Sequence, residues 1–264
     1  MSEFVFVQHD GLTFRCKVAL AGEDAPWIVF SNSILTDLTV WDAQAELLAG
    51  HFNVLRYDQR GHGGSSVPPG PANFDQLGGD LLALLDHFVI ARATLVGLSM
   101  GIPTVLDVVR RQPGRVERLI LCDGQSATAP GGAELWRTRI ETAQSIGMDA
   151  FAGQTAERWF SAEFKAAGGH AKVLAAARNT SLAGFIACAR ALQDYDYRDV
   201  LPEIVVPTML LVGADDGAMP VTMKLVCQSI PGAVLHEIPH SGHIPCHEQA
   251  AIFNRHLADF LGIG

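Results

Sequence analysis

The chain has 264 residues, 48% of them hydrophobic, which is enough to bury a large core in a single domain. Its formal net charge of −9 argues against a nucleic-acid partner, because phosphate backbones are bound through clustered Lys and Arg. No apolar run approaches the roughly 20 residues that cross a bilayer, so we expect a soluble protein that contacts no membrane.

The first predicted elements are the two strands of an antiparallel hairpin. Phe and Val alternate over residues 4–7, apolar and polar residues alternate over residues 14–18, and Asp10-Gly11 between them is typical of a tight turn. The pattern then changes to short continuous apolar runs, which are typical of strands covered on both faces. These runs occupy residues 27–30, 54–57, 94–96, 119–122 and 209–212, and residues 234–238 are predicted as the last strand.

Helical periodicity separates these strands. It is clear over residues 74–88, over residues 100–111 before Pro113-Gly114, and over residues 249–261. Alternating strands and helices predict an α/β fold with a mostly parallel, doubly wound sheet. Residues 126–197 have helical periodicity without a convincing strand. They predict a helical cap, inserted in a core made of residues 1–125 and 198–264.

The strand ending near Val96 runs into Gly97-Leu98-Ser99-Met100-Gly101, and a helix follows. A G-x-S-x-G sequence between a buried strand and a helix predicts a nucleophile elbow, with Ser99 on a strained turn. Small residues are needed two positions before and after the serine, because strand and helix approach closely there. The turn also places Ser99 at a helix N-terminus, where backbone N–H groups stabilise an oxyanion.

A serine hydroxyl needs an adjacent base, usually a histidine held by a carboxylate. His243 fits this role, since it lies in a turn-rich loop between the last predicted strand and the final helix; we interpret His240 and His247 as structural or solvent-exposed. Asp216, in the loop after residues 209–212, is the predicted acid. Asp123, at the end of the strand over residues 119–122, is the alternative acid, and its other interpretation is a loop cap.

The oxyanion hole requires two N–H donors. We expect one from Met100 and the other from Ser33, in the loop after residues 27–30. Residues 56–65 carry several charged side chains and glycines, which we interpret as a structural loop braced by an Asp–Arg pair. Its glycines do not have dinucleotide-binding spacing, and the chain has no metal-ligand motif, so we expect no cofactor and no metal.

The five cysteines have neither a CxxC motif nor a regular spacing, which is typical of free thiols in a reducing compartment. We interpret Cys246, near the predicted base, as a buried free thiol. The N-terminus lacks the basic and apolar regions of a secretory signal. We therefore expect a cytoplasmic protein with a small-molecule substrate, and the sequence indicates no particular oligomeric state.

With these motifs assembled, the chain resembles the α/β-hydrolase superfamily over nearly its whole length. Within it, the chain is similar to bacterial 3-oxoadipate enol-lactonases. The similar segments are Ser31-Asn32-Ser33, Thr36-Asp37-Leu38, Trp41-Asp42, Arg56-Tyr57-Asp58, Arg60-Gly61-His62-Gly63, the elbow, Trp136, Arg139, Gly147-Met148 and Arg158-Trp159-Phe160.

The resemblance implies a triad of Ser99, Asp216 and His243 that hydrolyses an enol-lactone bearing a carboxylate, in the catabolism of aromatic compounds. Trp136 and Arg139 would then contact the substrate, with the Arg139 guanidinium facing its carboxylate. A solvated surface arginine is the other interpretation of Arg139. The chain departs from the family at Ile34-Leu35 and Ile102, where glycines are usual, and in an acid loop one residue shorter.

Three other functions fit the same residues. The first is hydrolysis of an ester, amide or C–C bond of a different ring-fission product. The second is cofactor-free perhydrolase chemistry, which predicts peroxide-dependent turnover. The third is a non-catalytic ligand-binding protein, since unrelated functions share this scaffold. The presence of all three triad residues argues against the third.

Overall fold

The computed structural model describes residues 3–263. Within them, the strands form one eight-stranded sheet in the order β1-β2-β4-β3-β5-β6-β7-β8. The strands are β1 (Phe4–His9), β2 (Leu12–Ala19), β3 (Trp27–Ser31), β4 (Asn53–Tyr57), β5 (Ala93–Leu98), β6 (Val116–Cys122), β7 (Thr208–Gly213) and β8 (Val234–Ile238).

The sheet confirms the predicted α/β fold. β1 pairs antiparallel with β2, and β2 pairs antiparallel with β4, while the remaining pairs from β4 to β8 are parallel. Every residue of β4, β5 and β7 is buried. Burial on both faces explains why these strands appear in the sequence as continuous apolar runs.

Helices follow the strands and cover the sheet. α3 packs on β3, β5 and β6, α2 packs against α3, and α8 packs on β7 and β8. The helices are α1 (Asp42–Leu47), α2 (Phe74–His87), α3 (Gly101–Arg111), α4 (Gly132–Trp159), α5 (Ala162–Ala166), α6 (Ala171–Asn179), α7 (Leu182–Ala191), α8 (Met219–Gln228), α9 (Pro245–Glu248) and α10 (Ala250–Leu261). Among the described residues, no helix combines the length and apolar character needed to span a bilayer.

Four helices, α4 to α7, follow one another between β6 and β7, and we call them the helical insertion. α4 bends at Gly147, whose φ of 78° and ψ of 161° are not helical. α4 packs against both α6 and α7. The chain enters and leaves the insertion through neighbouring segments, because Ala127 forms an antiparallel bridge with Asp196. All five cysteines are free, and Cys246 is buried.

The loop after β4 is braced by two buried carboxylates. Asp58 accepts hydrogen bonds from Arg15 (2.5 Å) and from the backbone N–H groups of Leu38 and Gly64 (both 2.8 Å). Arg60 forms a bidentate pair with Asp80, with both distances 2.7 Å. Asp–Arg pairs therefore brace the loop as predicted, but the ion-pair partners of Asp58 and Arg60 are Arg15 and Asp80, which lie outside it.

His62, in the same loop, is buried and neutral. Its Nδ1 lies 3.0 Å from the Arg60 carbonyl, which only accepts, so Nδ1 carries the proton and the buried Nε2 has no partner in the described chain. Burial lowers the pKa of His62 to about 4. The His62 imidazole therefore binds a proton below about pH 6.5 in the unfolded chain, but only below about pH 4 in the folded protein.

We expect His62→Asn to reduce the acid sensitivity of the fold, because an Asn amide can donate to the same carbonyl and does not titrate. The contribution of His62 is complete above about pH 6.5 and is lost as the pH falls towards 4, at about 1.4 kcal/mol per pH unit. Urea unfolding should show wild type losing about 2 kcal/mol more than the variant between pH 6.5 and 5. An equal loss of unfolding free energy in the two proteins over this pH range would contradict the prediction.

Candidate active site

Ser99 lies between β5 and α3, on a turn with a φ of 53°. A side chain at Gly97 would begin 2.5 Å from the Gly101 carbonyl oxygen, and one at Gly101 would overlap the Ser31 carbonyl. The two glycines are thus required for the close approach of strand and helix. The strained turn exposes the Ser99 hydroxyl above the carboxyl ends of the parallel strands.

His243 lies in the loop between β8 and α9. Its Nε2 is 3.0 Å from the Ser99 Oγ, and its Nδ1 is 2.7 Å from the Asp216 Oδ2. The loop is held by backbone contacts: the His243 N–H donates to the Trp159 carbonyl (2.8 Å), and the Gly242 N–H donates to Glu248 (2.8 Å). The structure therefore joins the three predicted triad side chains by hydrogen bonds.

Asp216 lies in the turn after β7, where its N–H donates to the Gly213 carbonyl at 3.2 Å. Asp123, the alternative acid, follows β6 and accepts a hydrogen bond from the Gly213 N–H at 2.8 Å through Oδ1. Asp216 is thus the carboxylate that contacts His243 here, and Asp123 caps the loop that carries Asp216. The other two histidines of this region lie elsewhere: His240 is exposed, and His247 packs against Phe160 and Phe164.

Met100 is buried between Ser99 and α3, and its backbone N–H stays a predicted oxyanion donor. Ser33 is buried in the loop after β3, but it is the next residue, Ile34, that lines the cavity beside Ser99. Leu35 has a φ of 63°, a conformation that usually requires glycine. The loop therefore makes a left-handed turn at Leu35, one of the positions where the sequence departs from the family's usual glycine. The Ser33 donor remains a prediction.

A cavity of about 280 Å³ opens above Ser99. Asp216 and His243 reach it from the loops after β7 and β8, and Trp136 and Arg139 reach it from α4. Arg158, Trp159, Gln125 and Tyr195, which the sequence did not single out as cavity residues, also line it. The cavity is of a size to hold one small molecule.

Two guanidinium groups give the cavity a positive charge. Arg139 and Arg158 both reach the Thr155 hydroxyl, at 3.5 and 3.3 Å, and within residues 3–263 neither forms an ion pair with a carboxylate. Burial, with the neighbouring Arg158, lowers the pKa of Arg139 to about 10, and burial also lowers the pKa of Arg158. Arg139 stacks over the Trp136 ring at 4.8 Å. Two neighbouring guanidinium groups of this kind favour the binding of an anionic ligand.

A metal would have to be held by Asp123, Asp216 and His243, the one group of such side chains that lies within 4.8 Å among the described residues. Both ring nitrogens of His243 already face hydrogen-bond partners, Ser99 and Asp216. The group therefore fits proton transfer better than metal coordination.

Comparison with known proteins is consistent with this geometry. A model described as the Alpha/beta hydrolase family matches residues 26–256. The chain is 35% identical over 237 residues to 3-oxoadipate enol-lactonase 2 of Acinetobacter baylyi, covering 88% of this chain and 86% of that protein. It is 29% identical to a putative carbamate hydrolase RutD of Variovorax paradoxus, covering 90% of this chain and 92% of that protein.

Among solved structures, the chain is similar to the enol-lactonase from Burkholderia xenovorans LB400. The TM-score is 0.91 at 36% identity, and the alignment covers 98% of this chain and 100% of that one. The likeness thus extends over the sheet and the helical insertion together.

Proposed function

Because the chain belongs to the α/β-hydrolase family, we propose that it hydrolyses a small lactone or ester bearing a carboxylate, through an acyl-enzyme on Ser99. The proposal rests on one feature: the Ser99–His243–Asp216 hydrogen-bond chain opens into a cavity with two arginines that have no acidic partner in the described part of the chain. An enol-lactone of the 3-oxoadipate type has both the ester bond that the serine would attack and the carboxylate that the arginines would bind.

In the first half of the reaction, Ser99 attacks the lactone carbonyl while His243 Nε2 takes the hydroxyl proton. Asp216 accepts from Nδ1–H and stabilises the imidazolium that forms. The carbonyl oxygen becomes an oxyanion, which the N–H of Met100 and an N–H of the loop after β3 would bind. Collapse of this intermediate breaks the ring C–O bond, and His243 gives its proton to the leaving enolate oxygen.

In the second half, the opened chain remains attached to Ser99 as an ester. His243 removes a proton from water, the hydroxide adds to the acyl carbon, and Ser99 leaves with the proton that His243 returns. The net reaction adds one water to the lactone and yields an acid and an enol, which converts to the ketone. No group beyond the triad, the oxyanion donors and water is required.

The helical insertion shapes the substrate in this proposal. The part of the substrate away from the reacting carbonyl would contact Trp136, Arg139 and Arg158. The first two lie before the bend at Gly147, and Arg158 lies after it. Arginine suits a carboxylate because its planar donors match the two oxygens. We therefore assign α4 to α7 the role of a substrate-binding cap.

The test is a panel assay with 3-oxoadipate enol-lactone, the methyl ester of its carboxylate, and phenyl acetate. We expect the anionic lactone to have a kcat/KM at least about 100-fold above that of its methyl ester, since a buried charged hydrogen bond contributes about 3 kcal/mol. Equal values for the two lactones would contradict the assigned carboxylate site. Turnover of phenyl acetate alone would retain the serine mechanism and reject the lactone.

A second candidate is hydrolysis of an amide or carbamate with the same triad. The relative named a putative carbamate hydrolase favours it, at 29% identity over nearly the whole chain. Adding a small carbamate and the matching amide to the panel separates the two functions. Release of ammonia faster than lactone opening would favour this candidate.

A further inference from the structure

Asp123 is a second carboxyl group in the proposed active site whose bonding is incomplete. It is fully buried, and its backbone has a φ of 41°, an uncommon conformation for a residue other than glycine. Oδ1 accepts from the Gly213 N–H, whereas Oδ2 is buried without a hydrogen-bond partner within residues 3–263. Buried polar atoms are seldom left without a partner, so this oxygen calls for an explanation.

The Asp123 carboxyl lies close to the proton-transfer chain. One carboxylate oxygen of Asp123, one of Asp216 and a ring nitrogen of His243 all lie within 4.8 Å of one another. The distance between the Asp123 oxygen and the His243 nitrogen is therefore at most about 2 Å longer than a hydrogen bond. Since Gly213 holds the other oxygen, the carboxyl is fixed beneath the turn that carries Asp216.

The charges around Asp123 explain why it does not displace Asp216 from His243. Burial raises the pKa of Asp123 well above its usual range, and the like charge of Asp216 adds to this, while the Gly213 N–H acts in the opposite direction. The remaining titratable neighbours are His243 and the buried thiols of Cys122 and Cys246. Asp123 thus stays protonated to a higher pH than an ordinary aspartate.

We propose that Asp123 is a reserve positioning residue: when Asp216 cannot accept from His243, the Asp123 carboxylate accepts the Nδ1–H and keeps the histidine in its productive tautomer. The proposal rests on the serine mechanism proposed above. In that state Asp123 has given up its own proton to solvent, and the proton of Ser99 still passes to His243 Nε2. The two carboxyl groups act as alternatives for one hydrogen bond.

The test measures the rate at which a fluorophosphonate labels Ser99, which does not depend on knowing the substrate. Loss of a triad acid alone costs about 10⁴-fold. We expect Asp216→Ala to cost only about 10²-fold, and adding Asp123→Asn to cost about 10²-fold more, because Asn retains the Gly213 contact but does not ionise. Asp215→Asn, an exposed acid of the same turn, is the matched control and should add nothing to Asp216→Ala.

Equal labelling rates for Asp216→Ala with and without Asp123→Asn would overturn the proposal and leave the serine mechanism intact. Absence of labelling in the wild type, by contrast, would overturn the serine mechanism and the proposal together. If the double variant does not fold, the pH profile of Asp216→Ala decides. The labelling rate of Asp216→Ala should increase over a higher pH range than that of the wild type, because Asp123 must ionise first. A pH profile that coincides with that of the wild type overturns the proposal.

Discussion

Ser99→Ala and His243→Ala should each lower kcat for ester or lactone hydrolysis by about 10⁶-fold, and the double variant should be no worse than either. The reason is geometric: the Ser99 hydroxyl and His243 Nε2 are 3.0 Å apart and act as one unit, so removing either member removes nucleophilic catalysis. Steady-state rates on the best substrate of the panel provide the measurement.

The matched control is Ser229→Ala, which removes the hydroxyl of an exposed serine at the end of α8 and should leave kcat unchanged. Melting temperatures must show that each inactive variant is folded. If His243→Ala kept more than a hundredth of the wild-type rate, a base other than His243 would have to activate the serine.

Arg139→Met should separate substrate recognition from chemistry. We expect kcat/KM for the anionic lactone to fall by about 10²- to 10³-fold, because the side chain would lose a buried charged hydrogen bond. The neutral methyl ester should change less than about threefold. The variant should also unfold at a higher temperature than the wild type, because Arg139 is a half-buried cation with no acidic partner among residues 3–263.

Arg137→Met is the control for this change. Arg137 lies on the same helix, but it is exposed and pairs with Glu134 and Glu141, so its loss should affect both lactones equally and only slightly. Equal losses on the anionic and neutral substrates in Arg139→Met would assign that arginine a structural role.

Local sequence patterns were sufficient to predict those elements whose conformation depends on residues nearby in the chain. The elbow could be predicted because Gly97 and Gly101 permit a contact that any side chain would block. β5 and β7 could be predicted because every residue in them is buried. Asp216 and His243 could be placed because each follows a predicted strand at the edge where parallel strands end.

Contacts between distant segments could not be predicted in this way. Arg158 joins Arg139 only because α4 bends at Gly147 and both side chains meet at Thr155. The nearness of Asp123 to Asp216 follows from the pairing of β6 with β7, which no local pattern specifies. Leu35 adopts a left-handed conformation without glycine, where the buried side chain contributes packing that offsets the strain.

The hydrogen bond from the His243 N–H to the Trp159 carbonyl has a consequence for heat inactivation. Trp159 is the last residue of α4, and its ring lies 5.6 Å from that of His243. Fraying of this helix end on warming would release the backbone of the loop that carries the base. We therefore expect the half-life of activity at elevated temperature to depend on the end of this helix as well as on the stability of the sheet.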